Sequence, residues 1–449
     1  MQDLVIGNAT LVTLGERNRL MPNAAIAVSG GQIVEMNDIS AFVGRYPSAR
    51  FIDARGGLIM PGFINAHTHF YGAFARGMAL SGPAPADFQQ ILESVWWRLD
   101  KALLAEDVRY SALLGLADMI RKGTTTFLDH HASPNHVPGS LDLIADAVLR
   151  SGLRGCLCYE VSDRDGKETA RKGIAENERF IKRCLSQAEA HEGRLAAAFG
   201  LHASFTVDDD TLAEATRVCK ETGAPIHIHI SEGTVDAEAS VKKYGKRPLA
   251  RLAAAGLLER PALLAHGVHL DDAEIKQVAQ SRSWLLHNPQ SNMNNAVGTA
   301  RLPALLDAGV RVALGTDGMS GDLRPEMRAL PLAQKAASGD PRTLGFAPIY
   351  DITFRTNAAL AEHFFGQPIG ALQVGAAADL IIVDYLPPTP FTEDNFLGHL
   401  IFGIINADVR TTIVGGRVLM EDGRLLTLDE KEIAARAREL APKVWQRLE

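Results

Sequence analysis

Between Pro61 and Gly366 the chain alternates short apolar runs with helical stretches, and eight of those runs read as parallel strands. They end near His69, His130, Glu160, His202, Glu232, His269, Asn288 and Asp317. Helical patterns lie between them, among them Ala105–Lys122, Leu141–Arg150, Glu176–His191 and Asp209–Thr222. Strands that alternate with helices imply βαβ units and a parallel sheet. Eight units favour a closed (β/α)8 TIM-like barrel over an open doubly wound sheet, and no Gly-x-Gly-x-x-Gly follows the first run to support dinucleotide binding. Catalytic groups of such a barrel sit at the C-terminal ends of its strands. Polar residues far apart in sequence are therefore expected to share one mouth.

Both ends of the chain carry β patterns. Asp3–Leu14, Ala24–Glu35 and Arg50–Ile59 open it, with turn signals at Gly30-Gly31 and Gly56-Gly57. Near the other end, 374–384 reads as turn then strand, and 409–421 as a hairpin around Gly415-Gly416. Asp429–Leu448 has the apolar spacing of a closing helix. The expected organisation is a small β-sandwich module built from both chain ends, 1–58 and 367–449, around a barrel domain over 59–366. With 449 residues, 46% of them hydrophobic, the chain is long enough for that combination.

A net charge of −7 without a basic tract speaks against nucleic-acid or anionic-membrane partners. The opening residues lack a signal-peptide pattern and no stretch has the length and apolarity of a membrane span, so a cytoplasmic location is expected. The four cysteines, Cys156, Cys158, Cys184 and Cys219, lack metal-type pairing and read as reduced, buried thiols. Cys156 and Cys158 should share one face of a strand. General base rates make a homodimer the default oligomer.

Two His-x-His pairs carry the chemistry. His67 and His69 end the first run, and on a strand residues two apart face the same side, so both imidazoles can reach one metal. His227 and His229 repeat the pattern in the fifth run, and the eighth ends in Asp317. Three imidazoles with one carboxylate suit a divalent ion, zinc first and iron second. Glu232, three residues beyond His229, could do general acid–base work; a solvated loop carboxylate is the competing role. His266 could equally be a satisfied core histidine.

The strings His67-Thr-His69, His229-Ile-Ser-Glu232, His266 and Thr316-Asp317 resemble the amidohydrolase superfamily, in its cytosine deaminase, guanine deaminase and chlorohydrolase branch. Trp96-Trp-Arg-Leu-Asp100, Asp129-His-His-Ala-Ser-Pro134, Ser291-Asn-Met-Asn-Asn295 and Gly315-Thr-Asp-Gly318 narrow the likeness to the SsnA-type aminohydrolases. The resemblance spans nearly the whole chain. It implies that His67, His69, His229 and Asp317 hold one metal ion. Asp317 would also take the proton lost by a water there. Glu232 would shuttle a proton to the leaving nitrogen, His266 would hold and polarise water or substrate, and His202 would contact substrate. Two-metal members of the superfamily use a bridging carbamylated lysine; neither 153–160 nor 194–202 contains a lysine, which points to one metal.

Other positions are less constrained. Successive strand residues point oppositely, so only one of His130 and His131 should enter the site, and His130 is taken as a substrate contact. Trp97 could stack on a flat substrate or pack in the core, and Arg76 could bind a substrate anion or brace its loop. Ser291 and Asn292 read foremost as loop residues. His136, His191, His363 and His399 read as surface or packing residues.

The resulting expectation is hydrolytic deamination of a small flat nitrogen heterocycle, of purine, pterin or triazine type. Hydrolysis of a cyclic amide, or of another C–N or C–Cl bond, would use the same machinery, because one site type serves several chemistries. A non-catalytic barrel would normally have lost ligands. Base editing of nucleic acid would call for the His-x-Glu and Pro-Cys-x-x-Cys signature, which the sequence lacks.

Overall fold

The computed structural model describes residues 3–80, 82–187 and 192–448. Its centre is a set of parallel strands in two sheets. Phe63–Thr68, Thr124–His131, Arg154–Tyr159 and Leu195–Ala197 form one; Phe199–Ala203, Ile226–Ile230, Leu263–His266, Trp284–His287 and Arg311–Leu314 form the other. Their side chains are almost all buried, as strands covered on both faces require. Single parallel bridges join the sheets along both edges, Thr68 with Asp317 and Val161 with Leu201. This is a TIM-barrel-type arrangement, and the strand ends fall within three residues of the expected positions.

Local chemistry explains the alternation. The helix Ala105–Lys122 buries Val108, Ala112, Leu116 and Ile120, a four-residue repeat along one face. At its start the Asp107 carboxylate accepts the Leu104 N–H at 2.9 Å, and Gly123 at φ 79° ends it and releases Thr124 into a strand. The helix expected over 176–191 begins earlier, and spans Lys167–Ser186; His191 lies outside the described residues. Cys156 and Cys158 do share a face: both join Ala66, Leu128, Ala265 and Ala313 in a small-residue cluster fed by strands of both sheets. All four cysteines are buried and unbridged.

The two chain ends meet in one nine-stranded sheet. Leu58–Pro61 pairs antiparallel with Leu380–Val383, which joins the early strands to the late ones. The β pattern over 24–35 is two strands, Leu20–Ser29 and Gln32–Asp38, joined at the turn signal Gly30-Gly31, where both glycines take positive φ and form the hairpin turn. A buried ion pair ties this sheet to the parallel strands: Arg154 Nε lies 2.7 Å from Asp379 Oδ2. The last helix, Glu430–Gln446, packs on Ala105–Lys122, and Trp445 donates to the Phe74 carbonyl at 2.9 Å. No helix among the described residues is long and apolar enough to cross a membrane.

Candidate active site

Each strand end delivers a polar group to one place. His67 is the penultimate residue of Phe63–Thr68 and His69 follows that strand; His229 lies near the end of Ile226–Ile230; His266 ends Leu263–His266; and Asp317 lies just beyond Arg311–Leu314. Two of these residues, His266 at φ 73° and Asp317 at φ 53°, have left-handed backbones, as does Ser231 at φ 48° beside Glu232. Such backbones are costly for residues with side chains and concentrate where function fixes a direction.

The hydrogen bonds orient the imidazoles. His69 Nδ1 donates to the His130 carbonyl at 2.6 Å, and His229 Nδ1 to the His202 carbonyl at 2.9 Å. His266 Nδ1 donates to Asn292 Oδ1 at 2.8 Å. His67 Nδ1 meets His227 Nε2 at 2.8 Å. In the first three rings the Nδ1 bond leaves Nε2 with a lone pair facing inward, the arrangement that a hydrogen-bond acceptor behind the ring imposes on ligating histidines. His69 Nε2 lies 2.9 Å from Asp317 Oδ1 and 3.2 Å from His229 Nε2; His67 Nε2 lies 3.3 Å from Asp317 Oδ1. Burial would raise the Asp317 carboxyl, but the adjacent His67 and His69 imidazoles outweigh it and hold it well below the ordinary carboxylate range. Ser291 Oγ donates to its other oxygen.

The donor set fits a cation. Donor atoms of His67, His229, His266 and Asp317 all lie within 4.8 Å of one another, and the buried His67 and His266 Nε2 atoms lack any hydrogen-bond partner. Orphaned buried nitrogens aimed at one point are what a missing positive partner leaves behind. A second group, His69, His130, Glu160 and His229, is equally compact. There, however, His130 is already engaged: Nε2 with the His227 carbonyl and Nδ1 with Glu160 Oε2, both at 3.1 Å.

Glu232 lies beside this centre. Its Oε2 is 3.3 Å from His266 Nε2, and its Oε1 accepts from Asn295 Nδ2 at 3.2 Å. Burial pushes its carboxyl up to about 7. A cavity in front is lined by Tyr71, Trp97, His202, His229, Glu232 and Asp317, among others. Trp97 stands edge-on to His202 with ring centres 5.9 Å apart, and Arg164 covers its face at 5.2 Å. Burial pushes the His202 imidazole down to about 4.

Two residues expected at the substrate lie outside the lining of this cavity. His130 is fully buried, with both nitrogens engaged as above. Arg76 is exposed and borders an adjoining cavity of about 740 Å³ that shares His69 and Asp317 with the site and reaches to the last helix. His131 turns away from the site and bonds Ser133 at 2.9 Å. His269 is half-buried beyond its strand, His363 packs on Trp284, and His399 bonds Tyr385 at 2.7 Å.

Several site residues escaped the sequence reading. Ser291, read foremost as a loop residue, and Asn295, noted only within the string Ser291–Asn295, border the cavity and bond the two carboxylates. Glu160 was visible only as a strand end, yet it lines the cavity and is buried. The rule that strand ends carry function already contained the signal for Glu160.

Comparison with known proteins agrees with this geometry. The sequence profile of the amidohydrolase family matches residues 58–419. A 5-methylthioadenosine/S-adenosylhomocysteine deaminase from Pelotomaculum thermopropionicum is 33% identical over 451 aligned residues, covering 100% of both chains. An adenosine deaminase from Xanthomonas campestris, crystallised with zinc, superposes with a TM-score of 0.85 at 26% identity, covering 99% of each chain. An atrazine chlorohydrolase from Arthrobacter aurescens, also crystallised with zinc, shares the fold at 23% identity and a TM-score of 0.80, over 98% of this chain and 100% of that one.

Proposed function

Since the chain belongs to the amidohydrolase family, we propose that it is a metal-dependent hydrolase that deaminates a small, flat nitrogen heterocycle. The observation that carries this reading is the Glu232 carboxyl, 3.3 Å from His266 and facing the same cavity as the inward nitrogens. His67, His69, His229 and Asp317 would hold one divalent ion. Three imidazoles and a carboxylate favour zinc over iron. The chemistry such an ion supplies is Lewis-acid activation of water.

The chain's own residues do the remaining work. Asp317 Oδ1 takes a proton from the attacking water in this reading, while Ser291 fixes its other oxygen. Glu232, with a carboxyl near neutrality, passes a proton to the ring or the departing nitrogen. His266 holds the incoming oxygen against the ring carbon. One C–O bond forms, one C–N bond breaks, and ammonia leaves. His202 and Trp97 bind the ring on the cavity wall. The relatives whose printed names specify nucleoside deamination support a purine-like ring.

The same reading extends to the architecture. The two edge bridges and the shared small-residue cluster support one closed eight-stranded barrel over 59–366. A core of residues from both chain ends, Ile6, Ile26, Leu380 and Ile413 among them, supports a sandwich-like module made of 1–58 and 367–449. The direct test loads the protein with zinc and measures ammonia release from aminated purines, pterins and triazines. Release with a product in which OH replaces NH₂ is expected. A product that has only gained water indicates ring opening, and no turnover of any compound contradicts the proposal.

A further inference from the structure

Glu160 is a buried carboxylate that the proposed reaction leaves unused. It follows the strand Arg154–Tyr159, its side chain is 2% exposed, and it lines the cavity. One oxygen, Oε2, is taken by His130 Nδ1 at 3.1 Å. The other, Oε1, lies 3.9 Å from His202 Nε2, too far for a hydrogen bond, and no donor among the described residues reaches it.

The state of His202 follows from its neighbour. The Thr206 hydroxyl has one proton, which it gives to the Ala203 carbonyl at 3.1 Å. It must therefore accept from His202 Nδ1 at 2.6 Å. His202 Nε2 is then a lone pair. Two acceptors face the same space without a donor between them, an unfavourable pair unless the ligand brings one. The side chains of opposite sign are missing too. The charged residues lining this cavity are Glu160, Glu232 and Asp317, all carboxylates, with no lysine or arginine among the described lining residues.

We propose that Glu160 and His202 together read a donor edge of the substrate, an amino group or adjacent ring N–H groups, and so select neutral or cationic amino-heterocycles over carboxylated ones. This rests on the deaminase reading for the ring's orientation, with the donor edge held away from the carbon under attack. His130 acts as a positioning residue that holds the Glu160 carboxylate in line.

Calorimetric titration of the zinc-loaded enzyme with 2,6-diaminopurine, adenine and adenine-2-carboxylate tests it. The native protein should bind diaminopurine about 10- to 100-fold more tightly than adenine, the range for a hydrogen bond to a charged group. It should bind the carboxylate weakest of the three. Glu160→Gln should bring the first two ligands to within a few-fold of each other, with zinc content unchanged. His202→Phe removes the other acceptor and should act in the same direction, which keeps the test open if the first variant folds poorly. Equal binding by the native protein, binding of none of the rings, or a preference that survives both substitutions overturns the inference. Ammonia release separates the two readings. Selective binding without ammonia sinks deamination and leaves Glu160 as the donor reader. Ammonia released equally well from adenine and diaminopurine does the reverse.

Discussion

At the scale of single residues, the site depends on carboxyls whose surroundings set different tasks. Asp317 is kept ionised by its histidines, whereas Glu232 is pushed by burial to about 7, where it can both give and take a proton. Glu232→Gln keeps the bond to Asn295 but cannot carry a proton. Its kcat should fall by about 10²- to 10⁴-fold with metal content unchanged, as activity assays with elemental analysis can check. Burial also raises a second carboxyl, Glu326, to about 8; it accepts the Gln290 N–H at 3.0 Å. Its folded value lies above the ordinary 4.5, so the unfolded chain loses this proton first. The stability it contributes is complete at low pH and drains away as pH rises from about 4.5 to about 8. Glu326→Gln stays neutral, so its melting temperature should climb relative to the native protein across that window. A constant offset would contradict the sign. The proposed ligands were legible because His-x-His on a strand fixes two side chains at once. Glu160, His130 and Ser291 were less so, because their roles depend on partners brought by other strands.

Elements matter through the close approach of neighbouring strands. Gly200 lies in Phe199–Ala203, and a Cβ there would meet the Tyr159 carbonyl oxygen at 2.3 Å. Backbone on one side and the Cys158 sulfur on the other leave it no room. Gly200→Ala should therefore destabilise the fold by about 1–3 kcal/mol, read from denaturant unfolding. The strain falls between Glu160 and His202, so KM should rise as well. A variant as stable as the native chain would show that these strands lie farther apart. Element type and order were readable from periodicity, and Ala105–Lys122 and Asp209–Thr222 coincide with their predicted bounds. Strand splitting was harder to see in the fourth run, which divides into Leu195–Ala197 and Phe199–Ala203, one in each parallel sheet, whereas Gly30-Gly31 is the hairpin its turn signal implied. Trp96 and Trp97 likewise sit where a π-helical turn, Leu92–Trp96, passes into the helix Trp97–Ala102, a bend that apolar spacing does not encode.

At the scale of the whole molecule, the account depends on convergence. His67, His229 and Asp317 come from three distant stretches, and the TIM-barrel-type arrangement of the parallel strands makes them neighbours. The nine-stranded sheet braces that arrangement from outside through Leu58–Pro61 and the Arg154–Asp379 pair. Sequence alone could place groups at strand ends, but the direction of each imidazole comes from carbonyls and amides on adjacent strands. The most direct measurement is anomalous diffraction at the zinc edge from crystals of the zinc-loaded protein. One peak per chain, bounded by His67, His69, His229 and Asp317, is expected. A peak between His130 and Glu160, a peak far from Asp317, or none at all would contradict the account.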